Sequence, residues 1–308
     1  MLTIQVLIED SRFPVISLQR SALRSEAFSL RKPSASLELI AEHGLSFLIE
    51  KDGHSLIFDT GKSGAFVTNS KMLGLHLDKA EALVISHGHY DHGGGIRALI
   101  EEAQYRGSLW TGSGFFDAKW SEESLKPRFL GLDVNEAFLA SNGITHHTLE
   151  NSSLGSHREI LPGIFIVGNF QRSHTEEIIA PRFTVERGGK RHADSFCDEI
   201  CVVVDTPQGL VVVLGCAHPG IMNMLDTIQA VFGKSLYAVL GGSHLVEANE
   251  ERIQKTGAYL KTCGAKFFAL GHCTGTPALE QLAVNLPDLQ SLSTGAAYMM
   301  PDIEKEAF

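Results

Sequence analysis

The sequence is short of cysteine, of long apolar runs and of basic residues. Its five cysteines among 308 residues are odd in number and irregularly spaced, which argues against a disulfide framework. No apolar run reaches the roughly 18 residues that a membrane-spanning helix requires. The formal net charge of −10 leaves no basic excess to neutralise phosphates, so nucleic acid is not an expected partner. These absences favour a small molecule as the partner.

The composition is otherwise that of an ordinary soluble globular protein, with 44% hydrophobic and 20% charged residues. Residues 1–10 have no basic start and end in Glu9-Asp10, so they predict a strand rather than a signal peptide. We therefore expect a cytoplasmic protein that folds as one domain over residues 1–308. The sequence leaves a homo-oligomer open.

Four metal-ligand residues, His87, His89, Asp91 and His92, fall within six positions. They follow an apolar run at residues 82–85 that predicts a buried strand. On extended backbone, His87 and His89 point to the same side. Paired imidazoles suit zinc or iron, while a carboxylate with an imidazole suits a second, harder ion. A histidine-rich surface turn is the alternative, but the strand before the cluster and the glycines after it favour a metal site.

The order His-x-His-x-Asp-His after a strand resembles the signature of the metallo-β-lactamase superfamily. A second feature of that superfamily, Phe58-Asp59-Thr60-Gly61, stands at the end of a predicted strand. The resemblance implies an α/β fold, the four-layer αββα sandwich, with the site in a cleft at one edge. It also implies that Asp59 orients a metal-ligating histidine.

Five further segments resemble one branch of the superfamily, named for the dihydropterin synthase of the methanopterin pathway. In chain order they are residues 42–46, 198–199, 215–220, 241–245 and 271–275. This branch joins a dihydropterin-methyl diphosphate to a ribofuranosyl-aminobenzene phosphate, and many bacterial members are described only as metal-dependent hydrolases. The resemblance implies the branch but does not transfer its substrate.

The resemblance extends the candidate ligands to His218 and His272, which follow later predicted strands. A capping or core histidine is the alternative for His272. Where the superfamily has a bridging aspartate, this chain has Cys216, which either ligates as a thiolate or is a small buried residue. We place Cys216 beside the ions rather than among their ligands. The usual third histidine is not evident, since His192 and Asp194 lie in its neighbourhood with a different spacing.

Other polar residues in the shared segments are candidates for supporting roles. Asp198 and Glu199 would support the ligands or contact substrate, with a solvated strand start as the alternative. His43 and His244 would contact substrate or phosphate, and a structural histidine is the alternative for each. Arg172 could hold a phosphate through its planar guanidinium, although it could equally be a surface arginine.

The chain divides into two halves with the same order of elements. In the first half, strands at 45–50 and 55–58 are predicted to form a hairpin around an Asp-Gly turn. In the second half, strands at 199–204 and 210–214 are predicted to form another hairpin. Alternating strands and helices follow each hairpin, which implies sheets covered by helices. Two such halves packed sheet to sheet would form the αββα sandwich.

Two long segments, residues 11–36 and 113–160, lack clear periodicity. Each is a candidate lid or cap over the site, and we expect helices in the second. A solvated surface connection is the alternative for residues 11–36.

The predicted function is metal-dependent hydrolysis. Two divalent ions, with zinc as first choice and iron or manganese as alternatives, would activate water for attack on a small phosphate-bearing anion, with Asp91 as the catalytic residue. One alternative is the transferase chemistry of the branch, in which a carbon nucleophile replaces water and the site must exclude water. Another is a non-catalytic ligand sensor, which the intact ligand set disfavours.

Overall fold

The structure, a computed structural model, describes residues 1–13, 28–34, 36–123 and 126–300, and its strands form three sheets. The first sheet consists, in spatial order, of β2 (Ser29–Arg31), β19 (Ala297–Met300), β1 (Leu2–Ile8), β3 (Ser46–Lys51), β4 (His54–Phe58), β5 (Ala82–Val84), β6 (Ser108–Gly112) and β9 (His146–Leu149). The second consists of β10 (His157–Leu161), β11 (Ile164–Gly168), β14 (Ile200–Thr206), β15 (Gly209–Leu214), β16 (Leu236–Gly241), β17 (Phe267–Leu270) and β18 (Gln290–Ser291). The third consists of β13 (Lys190–Ala193), β12 (Phe183–Arg187), β7 (Ala118–Ser121) and β8 (Arg128–Phe129).

The helices lie between these strands along the chain. They are α1 (Ala65–Met72), α2 (Tyr90–Gly93), α3 (Ile96–Glu101), α4 (Glu136–Ser141), α5 (Ile221–Phe232), α6 (Glu250–Thr262) and α7 (Thr276–Asn285), with 3₁₀ turns at Leu77–Lys79 and His272–Thr274. Among the described residues, no helix is long and apolar enough to cross a membrane.

The two large sheets pack face to face, and helices cover both outer faces. Successive residues of β14 show the arrangement, because Val202 faces a core shared by both sheets while Val203 faces a second core that includes α5 and α6. The outer face of the first sheet packs against α1 and α3 through Phe66 and Leu99. These four layers confirm the predicted αββα sandwich.

The two predicted hairpins are also confirmed. β3 pairs antiparallel with β4, and β14 with β15. The first turn is Asp52-Gly53, and both residues have positive φ, 50° and 89°, as the mirror-image turn of a two-residue hairpin loop requires. The predicted N-terminal strand is β1, which lies between β3 and β19.

The expectation of helices in residues 113–160 is wrong for most of that segment. Its described part holds one short helix, α4, and the strands β7 to β10. β7 pairs antiparallel with β12, far along the chain, and forms the third sheet with β8 and β13. Local periodicity could not show this pairing because the partners are distant in sequence. Of the proposed lid at residues 11–36, residues 14–27 and 35 lie outside the described residues.

Candidate metal centre

The ends of four strands bring the candidate residues to one edge of the sandwich. β4 runs parallel to β5 in the first sheet, and β15, β16 and β17 run parallel in the second. Asp59 and His87 follow the first pair, while His218 and His272 follow β15 and β17. Parallel strands end at the same edge of their sheet, so these side chains meet in the cleft between the sheets.

Six side chains form two adjacent groups of potential metal donors. The first donor trio is His87, His89 and His218, and the second donor trio is Asp91, His92 and His272. Within each trio the donor atoms lie within 4.8 Å of one another. All six side chains are buried, with residue exposures of 0 to 8%. The structure thus brings together the six residues that the sequence nominated as ligands.

Four imidazole nitrogens in these trios are buried yet lack a hydrogen-bond partner within the described part of the chain. These open nitrogens are Nε2 of His87, His89, His218 and His272. One unsatisfied buried polar group costs about 1–3 kcal/mol, so four at one place require an explanation. Coordination to a divalent cation would satisfy all four, and the donor set fits such an ion.

Asp59 holds two of the imidazoles in place. Its Oδ2 lies 2.6 Å from Nδ1 of His92, and its two oxygens accept hydrogen bonds from the Ser86 amide (2.7 Å) and hydroxyl (2.9 Å). The Ser86 hydroxyl also lies 2.9 Å from Nδ1 of His87. Burial alone would lower the pKa of His92, but the charge of Asp59 raises it. Both Nε2 atoms are thereby directed away from Asp59 towards the trios.

Asp10 orients His272 of the second trio in the way that Asp59 orients His92, and the sequence did not identify it. Its Oδ1 lies 2.7 Å from Nδ1 of His272, and its Oδ2 lies 2.9 Å from Nδ1 of His43. The other ring nitrogen of His43 lies 3.2 Å from Asp91 Oδ2. These contacts with Asp10 and then Asp91 raise the pKa of His43 to about 10. The signal was available, because Glu9-Asp10 follows an apolar strand just as Asp59 does.

The first donor trio is electrically neutral at pH 7. Burial lowers the pKa of His87, His89 and His218 well below the ordinary value of 6.5, and neighbouring imidazoles add to the effect. Neutral imidazole is the form that binds a metal. In the second trio, burial opposes ionisation of Asp91, yet the hydrogen bond from His43 and the surrounding imidazoles hold its pKa below the usual range. A neutral trio therefore stands beside one that carries a carboxylate.

The loop that carries His218 is held by a buried carboxylate. Glu199 accepts hydrogen bonds from the amides of Ala217 (2.6 Å) and His218 (3.1 Å). The same loop places Cys216 Sγ 3.1 Å from Nε2 of His92. Burial raises the pKa of the Cys216 thiol.

A buried ion-pair cluster fixes the turn between His87 and His89. Asp198 Oδ2 accepts a hydrogen bond from the Gly88 amide at 2.8 Å, and its Oδ1 lies 2.9 Å from Lys119 Nζ. Lys119 Nζ also contacts Asp194 at 2.9 Å. A Cβ at Gly88 would collide with the Phe115 carbonyl oxygen, so the close approach requires glycine. Asp194, considered near the missing third histidine, thus pairs with a lysine instead.

A cavity of about 350 Å³ opens above the trios. Its apolar wall is formed by Tyr90, Leu130, Phe183, Val246 and Leu279, and its cationic part by Arg128 and Arg182. The N-terminal residue of α7, Thr276, also lines it. One wall is therefore apolar and partly aromatic, and Arg128 adds a positive charge at another, where Arg182 is paired with Glu247.

Of the candidate substrate contacts, His43 and His244 line this cavity and Arg172 does not. The Arg172 guanidinium donates to the Ser195 carbonyl oxygen at 2.7 Å. The ring of His244 lies 4.2 Å from that of His218, and burial together with nearby arginines lowers its pKa to about 3. His192 is exposed on β13. Arg128 and Arg182 were not singled out because the sequence shows no motif around them.

Comparison with known proteins relates the chain to one superfamily. Residues 39–168 match the family model described as the metallo-beta-lactamase superfamily. The 7,8-dihydropterin-6-methyl-4-(beta-D-ribofuranosyl)-aminobenzene-5'-phosphate synthase of Methanocaldococcus jannaschii is 31% identical over 261 residues, which is 77% of this chain and 83% of that protein. An uncharacterised protein of the same organism is 27% identical over 256 residues, 81% of this chain and 91% of that protein.

Solved structures are similar to this chain as well. One described as a metal-dependent hydrolase of the beta-lactamase superfamily superposes with a TM-score of 0.76 at 29% identity, covering 98% of this chain and all of that one (100%). Zn(2+)-bound PqqB from Methylobacterium extorquens has a TM-score of 0.56 at 14% identity, covering 98% of this chain and 100% of its own. The second likeness shows the shared fold alone.

Proposed function

Because the chain belongs to the metallo-β-lactamase superfamily, we propose that this enzyme is a metal-dependent hydrolase of a small, phosphate-bearing anion. The observation that carries the proposal is the set of four open nitrogens, of which those of His89, His218 and His272 belong to residues that line the cavity. A purely structural role would not explain why these four buried nitrogens have no hydrogen-bond partner among the described residues, whereas binding a metal ion would explain it. The shared inner core draws on both halves of the chain, which supports one domain over residues 1–308.

Two divalent ions, one at each donor trio, are proposed as the cofactor. The first trio offers three neutral nitrogens, and the second offers a carboxylate and two imidazoles. Such nitrogen-rich sets suit zinc, with iron or manganese as alternatives. When bound, ions of this kind polarise phosphoryl oxygens and make water more acidic.

The surrounding side chains would position the substrate and the attacking water. Asp91, whose Oδ2 lies 3.2 Å from His43 Nε2, would orient the attacking water. Arg128 and the N-terminus of α7 are placed to attract an anion, whereas Arg182 is paired with Glu247 at 2.6 Å. His244, neutral at pH 7, can donate or accept a hydrogen bond at the same cavity.

A transferase is the second candidate, and two observations favour it. The relative with 31% identity is named as a synthase. The cavity wall formed by Tyr90, Leu130 and Phe183 could also hold an aromatic co-substrate away from water. In that reaction the ions would hold the leaving diphosphate, and an aromatic carbon would replace water as nucleophile.

The metal content tests the proposed centre. Elemental analysis should find close to two ions per chain in the wild type and about one in either His218→Ala or His272→Ala, since each variant opens a different trio. His157→Ala, in a half-exposed strand away from the cavity, is the matched control and should retain both. No ion in the wild type, or no loss in either trio variant, would refute the proposal.

Substrate assays then distinguish the hydrolase from the transferase. The hydrolase proposal expects release of nitrophenol from bis-nitrophenyl phosphate, abolished in His87→Ala and Asp91→Ala but not in the control. Consumption of a dihydropterin-methyl diphosphate only when an aminobenzene riboside is supplied, with no hydrolysis of either compound, would instead establish the transferase.

A further inference from the structure

A second cavity, of about 290 Å³, adjoins the cavity above the donor trios. Among the described residues, His244 alone lines both cavities, so its side chain stands between them. Its ring lies 4.2 Å from that of His218, which belongs to the first donor trio. His244 also has a positive φ of 45°, which is uncommon for residues other than glycine and is concentrated at functional sites. The second cavity therefore begins directly behind the metal centre.

An ion pair completes the boundary between the two cavities. Arg182, which lines the first cavity, donates to Glu247, which lines the second, at 2.6 and 2.9 Å. The guanidinium of Arg182 also lies 4.0 Å from the centre of the Phe183 ring. The pairing neutralises Glu247, so the charges that remain in the wall of the second cavity are those of Arg252 and Glu176.

The charge of Arg252 is not compensated by a neighbouring carboxylate. The residue is half-buried in the first turn of α6, and its guanidinium donates to the Ile178 carbonyl oxygen at 3.1 Å. Its Nε is buried without a partner among the described residues, and none of their carboxylates forms an ion pair with it. Burial lowers the pKa of Arg252, although Glu177 and Glu247 act in the opposite direction. A bound anion would satisfy both the charge and the open N–H group.

The composition of the wall favours a carboxylate over a phosphate as this anion. Glu176 lines the same cavity, so a doubly charged phosphate would be repelled more strongly than a singly charged carboxylate. The planar guanidinium also matches the geometry of a carboxylate.

We propose that the second cavity binds a carboxylate at the far end of the substrate, and that Arg252 holds it while the phosphate lies at the donor trios. The inference rests on the proposed function and deepens it, because it assigns the substrate a second anionic group. Arg252 would then contribute to selecting the substrate rather than to the reaction at the metal centre.

Probes that cannot be hydrolysed test this site whichever reaction the enzyme performs. Isothermal titration of the zinc-loaded protein compares ω-carboxyalkylphosphonates of increasing chain length with alkylphosphonates of the same length that lack the carboxylate. In the wild type, the carboxylate should tighten binding about 10–100-fold once the chain is long enough to pass His244. In Arg252→Met this gain should disappear, while the affinity for plain alkylphosphonates and the zinc content stay unchanged. A second phosphonate in place of the carboxylate should give a smaller gain.

Arg172→Met is the matched control. Arg172 also donates to a backbone carbonyl oxygen, but it lines neither cavity, so this variant should keep the full gain. Arg252→Lys retains the charge without the planar guanidinium and should keep only part of the gain. If circular dichroism shows that Arg252→Met does not fold, Arg252→Lys decides, and a full gain in that variant would overturn the proposal.

The outcomes separate this inference from the proposed function. If the carboxylate gives no gain at any chain length, or if the gain persists in a folded Arg252→Met, the second site is refuted while the metal centre stands. A larger gain from the second phosphonate would overturn the assignment to a carboxylate. If plain alkylphosphonates bind the zinc-loaded and the metal-free protein equally well, the proposed function itself fails and the second site fails with it.

Discussion

The buried cluster of Lys119, Asp194 and Asp198 should contribute strongly to both stability and metal binding. The three side chains are only 1–2% exposed, and both carboxylates contact the same ammonium at 2.9 Å. In Lys119→Met the side chain keeps its length but loses its charge. Two carboxylates would then be buried without a cation.

Removing one partner of a buried ion pair typically costs about 3–5 kcal/mol, because a charge is left uncompensated. At about 2 °C for each kcal/mol in a chain of this size, the melting temperature should fall by roughly 6–10 °C. Metal affinity should also fall, by about 10–100-fold, because Asp198 holds the Gly88 amide between two ligands of the first donor trio.

Differential scanning calorimetry on metal-free protein and competition with a zinc chelator measure the two effects separately. Lys234→Met is the matched control, since Lys234 pairs with Asp205 at 2.6 Å but is half exposed. Exposed pairs contribute about 0–1 kcal/mol, so this control should be nearly neutral. If Lys119→Met loses no more stability than Lys234→Met, the reasoning about the buried cluster is refuted.

Three further predictions follow from the structure. Asp59→Asn should weaken metal binding about 10–100-fold by freeing the ring of His92, and unchanged affinity in isothermal titration would count against that role. A chelator should lower the free energy of unfolding by about 2.7 kcal/mol for each ion removed, relative to protein with free metal at a hundredfold excess over its Kd, and equal urea midpoints would contradict this. Burial raises the pKa of Glu177 above its ordinary value of 4.5, so its stabilising contribution is complete below that pH and is lost as the pH rises through the folded value. Wild type should therefore lose stability relative to Glu177→Gln as the pH rises, and a relative gain would show the sign to be wrong.

The ligand cluster from His87 to His92 could be predicted because its signal is local. An apolar strand, a turn with glycines and four donors follow one another within a dozen residues, and strand and turn geometry then place the donors together. The hairpins and most of the αββα sandwich were predictable for the same reason, since apolar runs and turn residues are read within short windows.

Distant contacts could not be read in this way. Lys119 meets Asp198, and Asp10 meets His272, across 79 and 262 positions of the chain. The third sheet likewise pairs β7 with β12, and no local periodicity in the sequence predicts that pairing. Arg172 was predicted to contact phosphate because of its guanidinium. In the fold, that guanidinium donates to the Ser195 carbonyl oxygen, and Arg172 does not line the cavity.

The sequence alone therefore determined the class of the fold and the residue types that would donate to a metal, because both depend on patterns within short stretches of neighbouring residues. The tertiary structure decided how the donors divide into two trios, and it joined His218 to His87 and His89. It also decided that Cys216 lies between the trios. These are distances between chain segments far apart in sequence, and they are set by how the two sheets pack rather than by any local preference.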